Sequence, residues 1–149
     1  MLCRPAPLPS EGVFCLRELR GRLSEITGAG AGAAVTLAFR VLLDAQGAGE
    51  PVAWITTRRV CFFPPDAAES GADLEALAVV RVPSPPDILR AADMLARSGA
   101  FGLYVLDVGT ADVPMAAQSR LLGLAQKHDA AVLFLTRKGG PSLGSLVSL

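Results

Sequence analysis

Residues 94–109 read MLARSGAFGLYVLDVG, and this stretch decides the fold class. Gly102 to Val108 is the most strand-like run in the chain, and it carries Asp107 near its end. Before it, Asp87 to Arg97 places Ile88, Ala92 and Leu95 on one helical face, with Pro86 suited to the first turn and Ser98–Gly99 closing the helix. Helix, tight turn and buried strand in that order make half of a βαβ unit.

The same alternation continues outward in both directions. Downstream, Pro114 to His128 predicts a helix and Ala131 to Thr136 a buried strand. Arg137 to Ser142 then reads as a Gly- and Pro-containing loop, and Leu143 to Leu149 as the start of a further strand. Upstream, Leu77 to Val82 and Val52 to Thr57 are strands, and Arg58 to Gly71, with Pro64 and Pro65, is a loop. Ala34, Leu37, Ala38, Val41, Leu42 and Ala45 form one helical stripe that Gly47 and Gly49 stop. Arg22 to Thr27 is a short strand, and Val13 to Leu19 a short helix or turn. Residues 1–12 hold three prolines and no apolar period, so they are expected to be a tail, with one domain over residues 13–149. The expected architecture is α/β, a mainly parallel sheet with right-handed crossovers and helices on both faces.

Composition agrees. Of the 149 residues 51% are hydrophobic but only 5% aromatic, so Ala, Val and Leu must build the core, as strands buried on both faces require. Formal net charge is zero, which argues against the broad basic surface of a non-specific nucleic-acid binder. No apolar run is long enough to span a bilayer and no apolar N-terminal leader is visible, so a cytoplasmic location is expected. Cys3, Cys15 and Cys61 lack metal-ligand spacing and are expected to be small buried hydrophobes. His128 falls in the last turn of a helix, where a cation is favourable without any catalytic role. Trp54 and the Phe62–Phe63 pair are expected to anchor core or loop.

Gly28, Ala29, Gly30, Ala31 and Gly32 connect the first strand to the first long helix, the position where this architecture holds phosphate. A working phosphate loop ends in Gly-Lys-Ser/Thr: the lysine reaches the outer phosphates and the hydroxyl holds magnesium. With Gly28 as the first glycine, Ala33 stands at the second glycine, Ala34 at the lysine and Val35 at the hydroxyl, while Thr36 is one position late. Backbone dipoles would remain, each helix-terminus interaction contributing about 0.3–1 kcal/mol. That is too little to hold a triphosphate, so no nucleotide, metal or other cofactor is expected and the chain reads as a non-enzyme.

These residues carry a family resemblance. LRGRLSEITG (residues 19–28) with the Gly/Ala loop resembles the approach to the nucleotide site of RecA, residues 94–109 resemble its Walker B segment with Asp107 at the magnesium-associated aspartate, and AVLFLTR (residues 131–137) is similar to its sensor strand, with Arg137 at the sensor glutamine. After AWIT (residues 53–56), Thr57, Arg58 and Arg59 stand where the resemblance implies the catalytic glutamate. Asp107 alone survives of the ATP-handling set, and capping of the following turn through Gly109 or Thr110 would also explain it. A RecA-like core without ATP machinery resembles the ImuA family, and the closing SLGSLVSL is similar to that family's return to the sheet. The resemblance implies an accessory role in SOS-induced mutagenesis and translesion synthesis. The implied partners are ImuB, an inactive Y-family polymerase relative, with RecA and an error-prone C-family polymerase as further contacts.

The resemblance further implies that the strand bearing Val79 and Val80 is a sheet edge beside Val52 to Thr57, the region against which RecA protomers lay a neighbour's N-terminal strand and helix. A partner strand is therefore expected along Ala78 to Val82, over Val79, Val80, Arg81 and Val82, with apolar anchors entering a pocket formed with Ile88, Leu89 and Ala92. Arg137 and Lys138 stand where the family carries a DNA-contacting loop, but no aromatic accompanies them, so DNA contact is expected to be weak or absent. Two other classes fit the same residues: a SulA-like inhibitor of cell division, and an atypical nucleotide-using enzyme.

Overall fold

The computed structural model describes residues 15–28, 31–58, 69 and 71–137. The N-terminal tail, most of the loop after Arg58, Phe62–Phe63, Cys3, Cys61, and the strand expected over Leu143 to Leu149 lie outside the described residues.

The elements run α1 (Leu16–Leu19), β1 (Leu23–Thr27), α2 (Ala31–Gly47), β2 (Val52–Thr57), a 3-10 turn (Leu74–Ala76), β3 (Leu77–Val82), α3 (Pro85–Ser98), β4 (Leu103–Gly109), α4 (Met115–His128) and β5 (Ala131–Thr136). All strand pairs are parallel and the sheet order is β1-β5-β4-β2-β3. The three inner strands are buried almost throughout, because helices cover both faces. One face packs α1 and α2 against Ile26, Trp54, Val105, Leu133 and Leu135. The other packs α3 and α4 against Leu23, Ile55, Tyr104, Leu106 and Phe134. Neighbours along each strand thus enter opposite cores, as the period of two requires.

Two boundaries differ from expectation. The helix expected from Ala34 begins at Ala31, so Gly32 and Ala33 belong to its first turn rather than to the loop. The alanines there are the strongest helix formers, enough to carry one glycine into the first turn at a cost of about 1 kcal/mol. The expected face of α2 is otherwise kept, with Ala34, Ala38, Val41, Leu42 and Ala45 buried. Helix α3 starts earlier than Asp87 because both Pro85 and Pro86 sit in its first turn, where their missing N–H groups cost nothing. It ends at Gly99, whose φ of +67° only glycine adopts readily. The imidazole of His128 lies against the space a side chain at Gly99 would need. Cys15 is half-buried rather than buried, and its thiol is free. It stands just ahead of α1, before the core closes over Leu16 and Leu19.

Candidate functional site

The C-terminal ends of parallel strands and the N-terminus of α2 meet where this architecture places ligands. Gly28 leaves β1 and donates its N–H to the Thr136 carbonyl at 3.2 Å, tying the loop to β5. The Thr136 hydroxyl donates to Glu25 Oε1 at 2.8 Å, which joins β1 and β5 again through side chains. Sequence reading did not single out Glu25 or Thr136, because nothing local shows that β1 and β5 are neighbours.

Gly28, Ala34, Val35, Asp107, Leu135, Thr136 and Arg137 surround a cavity of about 10 Å³. That is the room one water needs. Ala34 and Val35, at the lysine and hydroxyl positions, both line it and both pack on the α2 core. Thr36 is exposed on α2, off this wall. Gly32 and Ala33 lie in the first turn of α2, and Gly30 lies outside the described residues. Among the described residues no cluster of three metal-ligating side chains exists. Thr136, Arg137 and Asp107 complete the wall, but at the lysine and hydroxyl positions Ala34 and Val35 present only methyl groups, which do not fit a magnesium triphosphate.

Asp107 is only 6% exposed. Burial pushes its carboxyl above the ordinary range and outweighs the Arg137 guanidinium, which favours the charged form. The Thr56 hydroxyl beside it helps in the same sense, although it makes no hydrogen bond of ordinary geometry. The neighbours that shape Asp107 are therefore Thr56 and Arg137, rather than the Gly109 and Thr110 amides expected from the sequence. The Arg137 N–H donates to the Gly109 carbonyl at 3.0 Å, which fixes the backbone behind its guanidinium. Lys138, the other expected DNA contact, lies outside the described residues. Thr57 ends β2, and Arg58, exposed, donates its N–H to the Val82 carbonyl at 3.1 Å, so no carboxylate follows this strand directly.

Strand β3 is the sheet edge beside β2, with Val79 opposite Trp54 and Val80 opposite Ile55. Among the described residues no strand pairs with its other side. Val79 packs toward the α2 core, and Val80 and Val82 toward the α3 core, while Arg81 is exposed. Ile88 and Ala92 are 0% exposed beneath α3, so they are core residues and form no pocket for a partner. The helix turns them onto the sheet, and Leu89, next in sequence, is the residue left at the surface edge.

A family model described as the RecA N-terminal domain matches residues 14–133. The chain belongs to the RecA N-terminal domain family. It is 41% identical over 98 residues to the RecA protein of Nocardioides sp., covering 65% of this chain and 27% of that one. To the RecA protein of Nocardia farcinica it is 37% identical over 97 residues, covering 65% and 28%. The chain thus spans about a quarter of the length of the curated RecA proteins it matches. The structure of SulA from Pseudomonas aeruginosa matches with a TM-score of 0.63 at 17% identity, covering 78% of this chain and 98% of that one. That likeness is one of fold. No helix among the described residues is long and apolar enough to cross a membrane.

The raised pKa of Asp107 makes a prediction with a definite sign. The folded state holds this proton more tightly than the unfolded chain, whose carboxyl has the ordinary value of 3.8. Stability is therefore lost as pH rises from 3.8 through the raised folded value, and at neutral pH the buried charge is a net cost. Asp107→Asn is expected to raise the melting temperature by a few degrees at neutral pH. The advantage should disappear below pH 3.8, where both states are protonated, and circular dichroism melts of the two proteins across that range check it.

Proposed function

We propose that this chain is a non-catalytic RecA-like adaptor of DNA damage-induced mutagenesis, of the ImuA kind. It binds an ImuB-like protein through the open side of β3, with RecA or an error-prone polymerase as further contacts. The observation that carries this reading is the cavity of about 10 Å³ at the former phosphate site, walled by Ala34 and Val35 instead of lysine and hydroxyl. A scaffold that cannot hold a triphosphate retains its other RecA-like surface, the sheet edge.

Val79, Val80, Arg81 and Val82 offer a half-buried edge to which an extended segment can add main-chain hydrogen bonds. Arg137 is a single exposed cation in a chain of zero net charge, and direct DNA binding is weak or absent. Co-purification with ImuB tests the reading. Val80→Pro, in protein still folded by circular dichroism, should abolish capture, while Val80→Ile should keep it. Undiminished binding by Val80→Pro rules out the β3 site. A saturable thermal stabilisation by magnesium-ATP would rule out the non-catalytic reading in favour of a nucleotide-using enzyme.

The match to nearly the whole length of the SulA structure favours a second reading, a SulA-like cell-division inhibitor. Co-purification with the tubulin-like division protein instead of ImuB separates the two.

A further inference from the structure

The open side of β3 is not uniform along the strand, and one hydrogen bond shows which backbone groups face outward. The Arg58 N–H donates to the Val82 carbonyl at 3.1 Å, so Val82 directs its own N–H and carbonyl inward, to β2. In an extended strand both groups of one residue point to the same side, and those of the next residue point to the other. Val80 therefore also bonds inward, and Val79 holds its donor and its acceptor toward the open side. Leu77 faces outward as well, but its N–H already bonds the Leu74 carbonyl, so the edge ends there. Val79 thus presents a complete donor and acceptor pair to an incoming strand.

Charge is also unevenly spread along this edge. Arg81 and Arg58 are exposed at the C-terminal end of β3. At the other end the 3-10 turn carries Asp73 and Glu75, both exposed. Gln46 of α2 accepts from the Asp73 N–H and donates to the Asp73 carbonyl, both at 2.8 Å, so these carboxylates stand on an ordered turn. Val79 packs toward the α2 core, and Arg81 shares its face by the period of two. The turn is tied to the same helix. An exposed cation and two carboxylates therefore flank one apolar anchor on the α2 side of the sheet.

We propose that β3 takes a partner segment running antiparallel to it, with a β-branched apolar residue opposite Val79, an acidic residue two positions earlier and a basic residue four positions later. This rests on the reading of β3 as a docking edge and adds the chemistry that the edge selects. Antiparallel pairing lets the residue opposite Val79 exchange both hydrogen bonds with it, and it is the more stable ladder per residue. An antiparallel edge strand on an otherwise parallel sheet is a common arrangement. In that direction the acidic residue lies opposite Arg81 and the basic residue reaches the turn at Glu75. Unlike charges across the strands favour this order and like charges oppose the reverse one, so charge sets the direction in which a segment docks.

Two peptides of one composition provide the test: Glu-Thr-Val-Thr-Val-Thr-Lys and the same residues in reverse order, each with a neutral dye and an amidated C-terminus. They are titrated with the full chain at low salt, where charge is least screened, and followed by fluorescence anisotropy. The acid-first peptide should bind saturably, at least about tenfold more tightly than the lysine-first one. In protein carrying both Glu75→Arg and Arg81→Glu the preference should invert, and both positions are exposed. Val79→Pro removes an outward donor and no β2–β3 bond, so it should abolish binding of the acid-first peptide in protein that keeps its circular dichroism. Proline at Val80 also costs a β2–β3 bond and probes the edge as a whole. Tighter binding of the lysine-first peptide would mean parallel pairing and overturns the inference. Equal affinities, a preference that ignores the double reversal, or no saturable binding of either peptide up to millimolar protein overturn it too. A preference for the acid-first peptide without capture of ImuB removes the adaptor reading alone, and capture of ImuB without that preference removes this inference alone.

Discussion

Trp54→Ala is expected to lower the unfolding free energy by about 3–5 kcal/mol, the range for removing a large aromatic from a packed core. A domain of this size has about 5–15 kcal/mol in all, so the loss removes a large share of the total. Trp54 is 2% exposed in the middle of β2. It stands between Val79 of β3 and Val105 of β4 on the α2 side of the sheet. Phe39 of α2 stacks on it with centroids 5.2 Å apart and planes inclined by 30°. Removing the indole abolishes the stacking on Phe39 and the packing beside Val79, which loosens the edge strand as well as the core. Trp54→Phe keeps a ring against Phe39 and should cost much less. Urea denaturation followed by circular dichroism measures both, since the lone tryptophan is itself the residue replaced. A loss under about 1 kcal/mol for Trp54→Ala would mean that the site collapses far better than packed cores do.

The second large effect comes from adding one methyl group. Gly102 precedes β4, and a Cβ built there would lie 2.6 Å from Glu50 Cβ and 2.7 Å from its Cγ. The backbone has little freedom to retreat. The Gly102 N–H donates to the Pro51 carbonyl at 3.0 Å, and its carbonyl accepts from the Ala131 N–H at 3.0 Å, so one residue pins the starts of β2, β4 and β5 together. Glu50 is itself anchored by Arg20 at 3.2 Å. Gly102→Ala is therefore expected to cost about 1–3 kcal/mol as overpacking, with backbone strain spread into three strands. Removing the opposing Cβ is the control. In the double variant Glu50→Gly, Gly102→Ala the two costs should fall well short of additive, because the clash is the interaction they share. Additive losses would place the origin of the effect elsewhere.

Much of this architecture is legible in the chain because its signals are local. Val52 to Thr57, Leu77 to Val82 and Ala131 to Thr136 are β-rich apolar runs bounded by Pro, Gly or charge, and each is a strand over those same residues. The α2 stripe and the Ser98–Gly99 stop are equally local, as period and positive φ belong to single segments. The start of α2 is less so: Gly28, Gly30 and Gly32 read as a loop, while the alanines between them favour helix. At the candidate site, the replacement of lysine and hydroxyl by Ala34 and Val35 can be counted along the sequence. That both residues wall a space the size of one water cannot.

The sequence by itself determined the α/β class, the parallel strands, the membership suggested by residues 94–109 and the loss of the phosphate-handling side chains. Those follow from residue type at fixed spacing. Only the tertiary structure decided which neighbours each residue meets. It brought the charge of Arg137 within reach of Asp107, bonded Thr136 to Glu25, and sank Ile88 and Ala92 into the core. The physical reason is that burial and charge compensation act through space: strands far apart in the chain become adjacent only when the crossovers close, and no local pattern records which side chains they bring together.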